Sequence, residues 1–277
     1  MRSTLKVWTQ LGLGTALAGG LLASCSGEAG EQNEAGHGSA GSPAATAGEG
    51  GEGGEGGEGG EAGIDAAAAA SDPVAYGVAL AVVEAHVVAA RDAFAEGRKA
   101  EAAEMFAHPV SEVLVDMAPV FAKQGVADFS ALLTDASGAV LDGENAAQIT
   151  KRYEAIIAAL NAAGAKAPPS SANTSMVAAR IIADQIERAA AMHREAARGE
   201  DYEPYLDGYG FARVAKTRFA ASSGAIKASD PALHQAFVDA LDLLGQAFPS
   251  ADRPARLAVP AGALMAASSK VMLELGS

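Results

Sequence analysis

Four residues in the stretch from Tyr76 to Phe121 are candidate ligands for a metal ion. His86 lies in an apolar segment, and His108, Glu112 and Asp116 follow at intervals of four residues. Residues four positions apart lie on one face of a helix, so the last three side chains project together. Imidazole and carboxylate groups suit Fe, Zn or Cu. The pattern predicts that His86, His108, Glu112 and Asp116 share a metal site.

The same residues also fit a purely structural interpretation. His86 can be a hydrogen-bonded core histidine, and His108 can cap a helix while its ring meets Glu112 one turn later. Paired acids such as Glu112 and Asp116 also occur on solvated helix faces. His193 is a weaker candidate ligand, because the charged residues around it, beginning with Arg194, indicate a solvated face.

Helical periodicity surrounds these residues and continues to the end of the sequence. Apolar residues recur at helical spacing, and no long stretch alternates with the period of a strand. The sequence predicts an all-α domain over residues 65–277, an antiparallel helical bundle of about six to nine helices preceded by a disordered linker. Residues 73–165 and 173–277 are candidate halves, separated by a proline-rich segment.

The local pattern predicts how the site is assembled. Helices are expected over residues 73–95 and 99–107, and Pro109 suits the first turn of a third helix that Gly125 ends. This places His108 at a helix cap. The break at Glu96 and Gly97 would fold the chain back, so that His108 approaches the helix of His86 within the first half.

Residues 1–24 are predicted to form a secretory signal, since a short apolar run follows a basic start and precedes small residues. The sequence Leu22-Ala23-Ser24-Cys25 resembles the lipobox of bacterial lipoproteins. That resemblance implies that Cys25 carries lipid and anchors the protein in the membrane. Ser26 in place of aspartate favours the outer membrane. Cys25 is the single cysteine, which excludes an intrachain disulfide.

Residues 25–64 consist of the lipidated cysteine and a linker rich in glycine and glutamate, with the run GEGGEGGEGGEGGEAG near its end. The linker contains almost no apolar residues that could join a core. It is therefore predicted to be a disordered tether that holds the folded domain away from the membrane.

Charge and motifs narrow the classes of function. The net charge of −14 disfavours nucleic acid as a partner, because an acidic protein repels phosphate. The sequence has no HExxH, GxSxG or CxxC motif and no glycine-rich phosphate loop. We therefore expect a protein that is not an enzyme.

Three segments resemble parts of known proteins. They are HVVAARDAFAEG, which begins at His86, FAHPVSEVLVDMAPVF, which begins at Phe106, and YEPYLDGYGFARVAK, which begins at Tyr202. They resemble a group of bacterial exported helical lipoproteins. More distantly, they are similar to imelysin-like proteins and to the periplasmic helical segments of iron permeases. The resemblance implies metal handling in the periplasm, with iron or another transition metal as the ligand. The alternative is an envelope scaffold that binds another envelope protein and no metal.

Overall fold

The computed structural model describes residues 63–276. The predicted signal peptide over residues 1–24, Cys25 with its predicted lipid, and the predicted linker as far as residue 62 lie outside the described residues. Ile64, which the sequence assigns to the linker, is 3% exposed and packs into the core. The folded domain therefore begins at least one residue earlier than predicted, because this isoleucine provides apolar surface that the linker otherwise lacks.

Helices make up most of the described chain, and residues 63–276 contain no strand. This confirms the predicted all-α fold for that part of the protein. The elements are α1 Ala66–Ala69, α2 Pro73–Ala95, α3 Lys99–Pro109, a π-helical turn Val110–Leu114, α4 Val115–Gln124, α5 Ser130–Leu141, α6 Ala146–Gly164, α7 Thr174–Ala196, α8 Glu203–Ser229, α9 Pro231–Ala247 and α10 Ala261–Gly276.

Helix α2 lies at the centre of the bundle and packs against α3, α6, α7 and α8. It is long and apolar enough to cross a membrane by composition, but 67% of its most apolar window is buried inside the protein. Its many buried alanines let neighbouring backbones approach closely. Helices from both candidate halves thus contribute to one continuous core.

Local signals explain where the principal helices begin. The Asp72 carboxylate accepts a hydrogen bond of 2.8 Å from the Val74 N–H, and Pro73 occupies the first turn of α2. In α6, the Asn145 and Gln148 side chains each accept a hydrogen bond from the other's backbone N–H, which forms a capping box. These caps satisfy N–H groups that have no partner within the helix.

The predicted helix break before Pro109 is wrong. Helix α3 runs through Pro109, and the chain continues without a loop through the π-helical turn into α4. Proline lacks an N–H and its ring clashes with the carbonyl four residues earlier. Here the helix widens into a π turn directly after the proline instead of ending. His108 therefore lies inside a helix and is not a cap.

Candidate metal centre

Helix α2 fixes the orientation and the tautomer of His86. The ring is buried, and its Nδ1 lies 2.8 Å from the carbonyl oxygen of Val82, one turn earlier. A carbonyl oxygen only accepts hydrogen bonds, so Nδ1 carries the hydrogen and donates it. In the neutral ring, Nε2 then has a free lone pair. Metal-binding histidines are commonly held in this way by a backbone carbonyl.

Helix α3 and the π-helical turn bring His108 and Glu112 to the same place. Glu112 Oε2 lies 3.6 Å from His86 Nε2, and Glu112 Oε1 lies 3.8 Å from His108 Nδ1. The two imidazole rings approach edge to face, with their centroids 6.2 Å apart. Single-turn π segments are frequent at functional sites. The Glu112 carboxylate thus lies between two histidines that come from different helices.

Helix α8 contributes two further carboxylates. Asp207 Oδ1 lies 3.7 Å from His86 Nε2, and Glu203 Oε1 lies 3.7 Å from His108 Nδ1. Asp207 Oδ1 is shielded from solvent and has no hydrogen-bond partner within residues 63–276. The Glu203 side chain is 63% exposed, so it stands at the rim of the cluster.

Burial dominates the electrostatics of Asp207. It raises the pKa of the Asp207 carboxyl to about 6, although His86 and His108 oppose the shift by favouring the charged form. A cavity of about 310 Å³ adjoins the cluster, and its walls include His86, Glu112, Asp207 and the apolar Phe211. The arrangement places ligands at the edge of a space that a hydrated ion can enter.

Close contact between α2 and α8 positions the two sides of the cluster. Gly210 packs against the backbone of Ala85, which precedes His86 in the chain. Arg218 donates to Glu84 at 2.6 Å, and the Tyr209 hydroxyl donates to Asp92 at 2.7 Å. These polar contacts hold the helices on either side of the glycine contact.

The structure brings together three of the four predicted ligands. Nitrogen and oxygen atoms of His86, His108 and Glu112 all lie within 4.8 Å of one another. Asp116 is exposed and is not part of this group. The site also extends beyond the first half of the chain, where the sequence placed it, because α8 supplies the remaining carboxylates.

The predicted environment of His193 is wrong. Its side chain is 0% exposed and its ring packs edge-on against Phe248, with the centroids 5.6 Å apart. Arg194 and Glu195, which follow it, are exposed, so these charged side chains reach solvent from a different side of α7 than the one His193 occupies. Neither ring nitrogen of His193 has a hydrogen-bond partner in the described chain.

Asp207 and Glu203 were missed by sequence reasoning, although one signal marks their helix. Gly208 and Gly210 lie inside α8, where a glycine costs about 1 kcal/mol relative to alanine. Glycines retained at such positions often allow another backbone to approach closely. An aspartate directly before these two glycines therefore lies where α8 meets a neighbour.

Comparison with protein-family models, curated proteins and solved structures finds no match to this chain.

Proposed function

We propose that this chain is a lipid-anchored protein of the cell envelope, with its domain in the periplasm, that binds a transition-metal ion and catalyses no reaction. One observation carries the metal assignment. His86 Nε2 lies 3.6 Å from Glu112 Oε2 and 3.7 Å from Asp207 Oδ1, while His86 Nδ1 donates its hydrogen to the Val82 carbonyl oxygen. An imidazole nitrogen beside two carboxylates is stabilised by a positive charge, either a proton held among these groups or a metal ion, and we assign that charge to a metal ion.

The donor set supports a transition metal over calcium or magnesium. Calcium and magnesium prefer oxygen ligands alone, whereas imidazole together with carboxylate suits iron, zinc and copper. The sequence resemblance described above favours iron among these. His86, His108, Glu112 and Asp207 are the proposed ligands, and the adjoining cavity leaves room for water to complete the coordination.

Calorimetric titration of the chelator-treated full chain with ferrous, zinc and cupric ions tests this function. We expect saturable binding, and a loss of affinity on the order of 100-fold or more in His86→Ala, since removing even a group that only hydrogen-bonds to a ligand costs roughly 10–100-fold. Glu112→Gln preserves the shape of the side chain and should also weaken binding.

His234→Ala is the matched control, because His234 is held by Ser223 on another part of the bundle, with 2.8 Å between Oγ and Nε2. Its affinity should equal that of wild type. If wild type, His86→Ala and His108→Ala all bind equally weakly, the cluster has a structural role. The envelope-scaffold alternative, with a protein partner and no metal, would then replace this proposal.

The membrane anchor is tested separately at Cys25. Replacement by serine removes the thiol that accepts lipid, so Cys25→Ser should abolish labelling by radioactive palmitate and release the protein from the membrane fraction. Stable anchoring depends on acyl chains because each buried CH₂ contributes about 0.8 kcal/mol. Unchanged labelling and fractionation of the variant would refute the proposed anchor.

A further inference from the structure

The ligand cluster contains two similar groups of donors, one on each side of Glu112. His86 Nε2, Glu112 Oε2 and Asp207 Oδ1 form the inner group, with separations of 3.6 and 3.7 Å from the imidazole nitrogen. His108 Nδ1, Glu112 Oε1 and Glu203 Oε1 form the outer group, with separations of 3.8 and 3.7 Å. Each oxygen of Glu112 therefore faces a different histidine.

We infer that the cluster binds two divalent transition-metal ions, bridged by the carboxylate of Glu112. This inference rests on the proposed function and specifies its stoichiometry. Each ion would have one imidazole, one oxygen of the shared Glu112 and one carboxylate of its own. A bridging carboxylate suits dinuclear sites, in which the two ions lie about 3.5–4 Å apart.

The observed separations are close to those that coordination requires. Two donors at about 2.1 Å from one ion, at an angle of roughly 90–120°, lie about 3.0–3.6 Å from each other. The 3.6–3.8 Å separations in the cluster are too long for hydrogen bonds and only slightly longer than this range. Side-chain rotations that bring the Glu112 oxygen and the second carboxylate of a group to the same ion would complete either group.

Helix geometry accounts for the repetition of the two groups. Glu203 and Asp207 lie four residues apart on α8, and His108 and Glu112 lie four residues apart across the junction of α3 and the π turn. Side chains at this spacing project from the same face. The two pairs face each other, and His86 of α2 completes the inner group.

Charge also favours two ions over one. Glu112, Asp207 and Glu203 bring three carboxylates to the cluster, and Asp207 Oδ1 is buried without a partner in the described residues. A single ion shared by His86, His108 and Glu112 would leave the outer carboxylate, Glu203, without a role. The outer group is more exposed, since 25% of His108 and 63% of Glu203 are accessible. We expect its ion to bind more weakly and exchange faster.

The number of zinc ions bound by each full chain after equilibrium dialysis tests this inference, because zinc has no redox chemistry. We expect two ions in wild type. Glu203→Gln should retain only one, because it removes a ligand of the outer group alone. Glu200→Gln is the control, since it removes a neighbouring exposed acid outside the cluster, and it should still bind two. Manganese loading should give the exchange-coupled electron paramagnetic resonance spectrum of a bridged pair.

The number of bound ions distinguishes the proposed dinuclear site from the proposed metal binding itself. Two ions in wild type and one in Glu203→Gln support the dinuclear site. One ion in wild type, unaffected by Glu203→Gln, overturns the dinuclear site and leaves the proposed metal binding in place. No bound ion overturns both.

Discussion

His193 is a histidine that lies in the apolar core. It is fully buried, packs against Phe248, and has two ring nitrogens without hydrogen-bond partners in the described chain. Burial lowers the pKa of His193, because the charged ring would lose its hydration. The native state therefore holds this ring in its neutral form.

This environment makes stability depend on pH. The pKa of the unfolded histidine is about 6.5, and the folded pKa is lower, so below that pH the unfolded state binds more protons. His193 should therefore destabilise the fold increasingly as pH falls below about 6.5, by up to roughly 1.4 kcal/mol for each unit that the pKa is depressed. Urea unfolding of wild type and His193→Leu at pH 7.5 and 5.0 measures the effect.

The variant should lose less stability than wild type on acidification. At pH 7.5 it should be as stable or more so, since an apolar side chain of similar volume leaves no unsatisfied nitrogen. An identical loss of stability in both proteins at pH 5.0 would contradict this account of His193.

At single residues, the candidate site was predictable only where its ligands are close in sequence. The apolar segment around His86 indicates a core position, and the spacing of His108 and Glu112 predicts that they project together. Asp116 shares that spacing but is exposed, because the π turn accommodates an extra residue and shifts later positions by roughly 100° around the axis. Asp207 was not predictable as a ligand, because its approach depends on how α8 packs against α2.

Among the elements, helix ends were predictable where glycine or a cap marks them. Helix α4 ends at Gln124, directly before Gly125, whose φ of +69° lies in the left-handed region. The Val126 N–H then donates a hydrogen bond to the Phe121 carbonyl oxygen, with 2.9 Å between nitrogen and oxygen. Pro109 gave a misleading signal, since proline usually begins or breaks a helix and here precedes a π turn.

The contact between α2 and α8 gives a prediction for Gly210. A Cβ at this position would lie 2.9 Å from the Ala85 carbonyl carbon and closer still to its oxygen. Since backbone cannot move aside cheaply, Gly210→Ala should lower the free energy of unfolding by about 1–3 kcal/mol. It should also weaken metal binding, because the displaced α8 carries Asp207 away from His86.

Gly224→Ala is the matched control on the same helix, where a Cβ would meet no atom within 4 Å. It should stabilise the protein by up to about 1 kcal/mol through helix propensity. Urea unfolding of both variants measures these changes in the free energy of unfolding. Equal effects of the two substitutions would show that the α2–α8 contact is not tight.

For the whole molecule, helical composition and periodicity were enough to predict an all-α bundle. Alanine-rich segments with apolar stripes have few stable alternatives to helix. The packing of these helices was not predictable, because alanine faces are small and similar and do not specify a partner. The candidate halves illustrate this limit, since α2 from the first packs against α7 and α8 from the second. That packing assembles the cluster from distant parts of the sequence.

Anomalous X-ray scattering at the zinc edge, from crystals of the zinc-loaded full chain, tests the central claim of metal binding most directly. We expect an anomalous peak from a zinc ion at about 2.0–2.1 Å from His86 Nε2. Oxygens of Glu112 and Asp207 should complete the same coordination sphere. A zinc-saturated crystal without a peak at this cluster, in which His86 Nε2 still lies 3.6 Å from Glu112 Oε2, would contradict it.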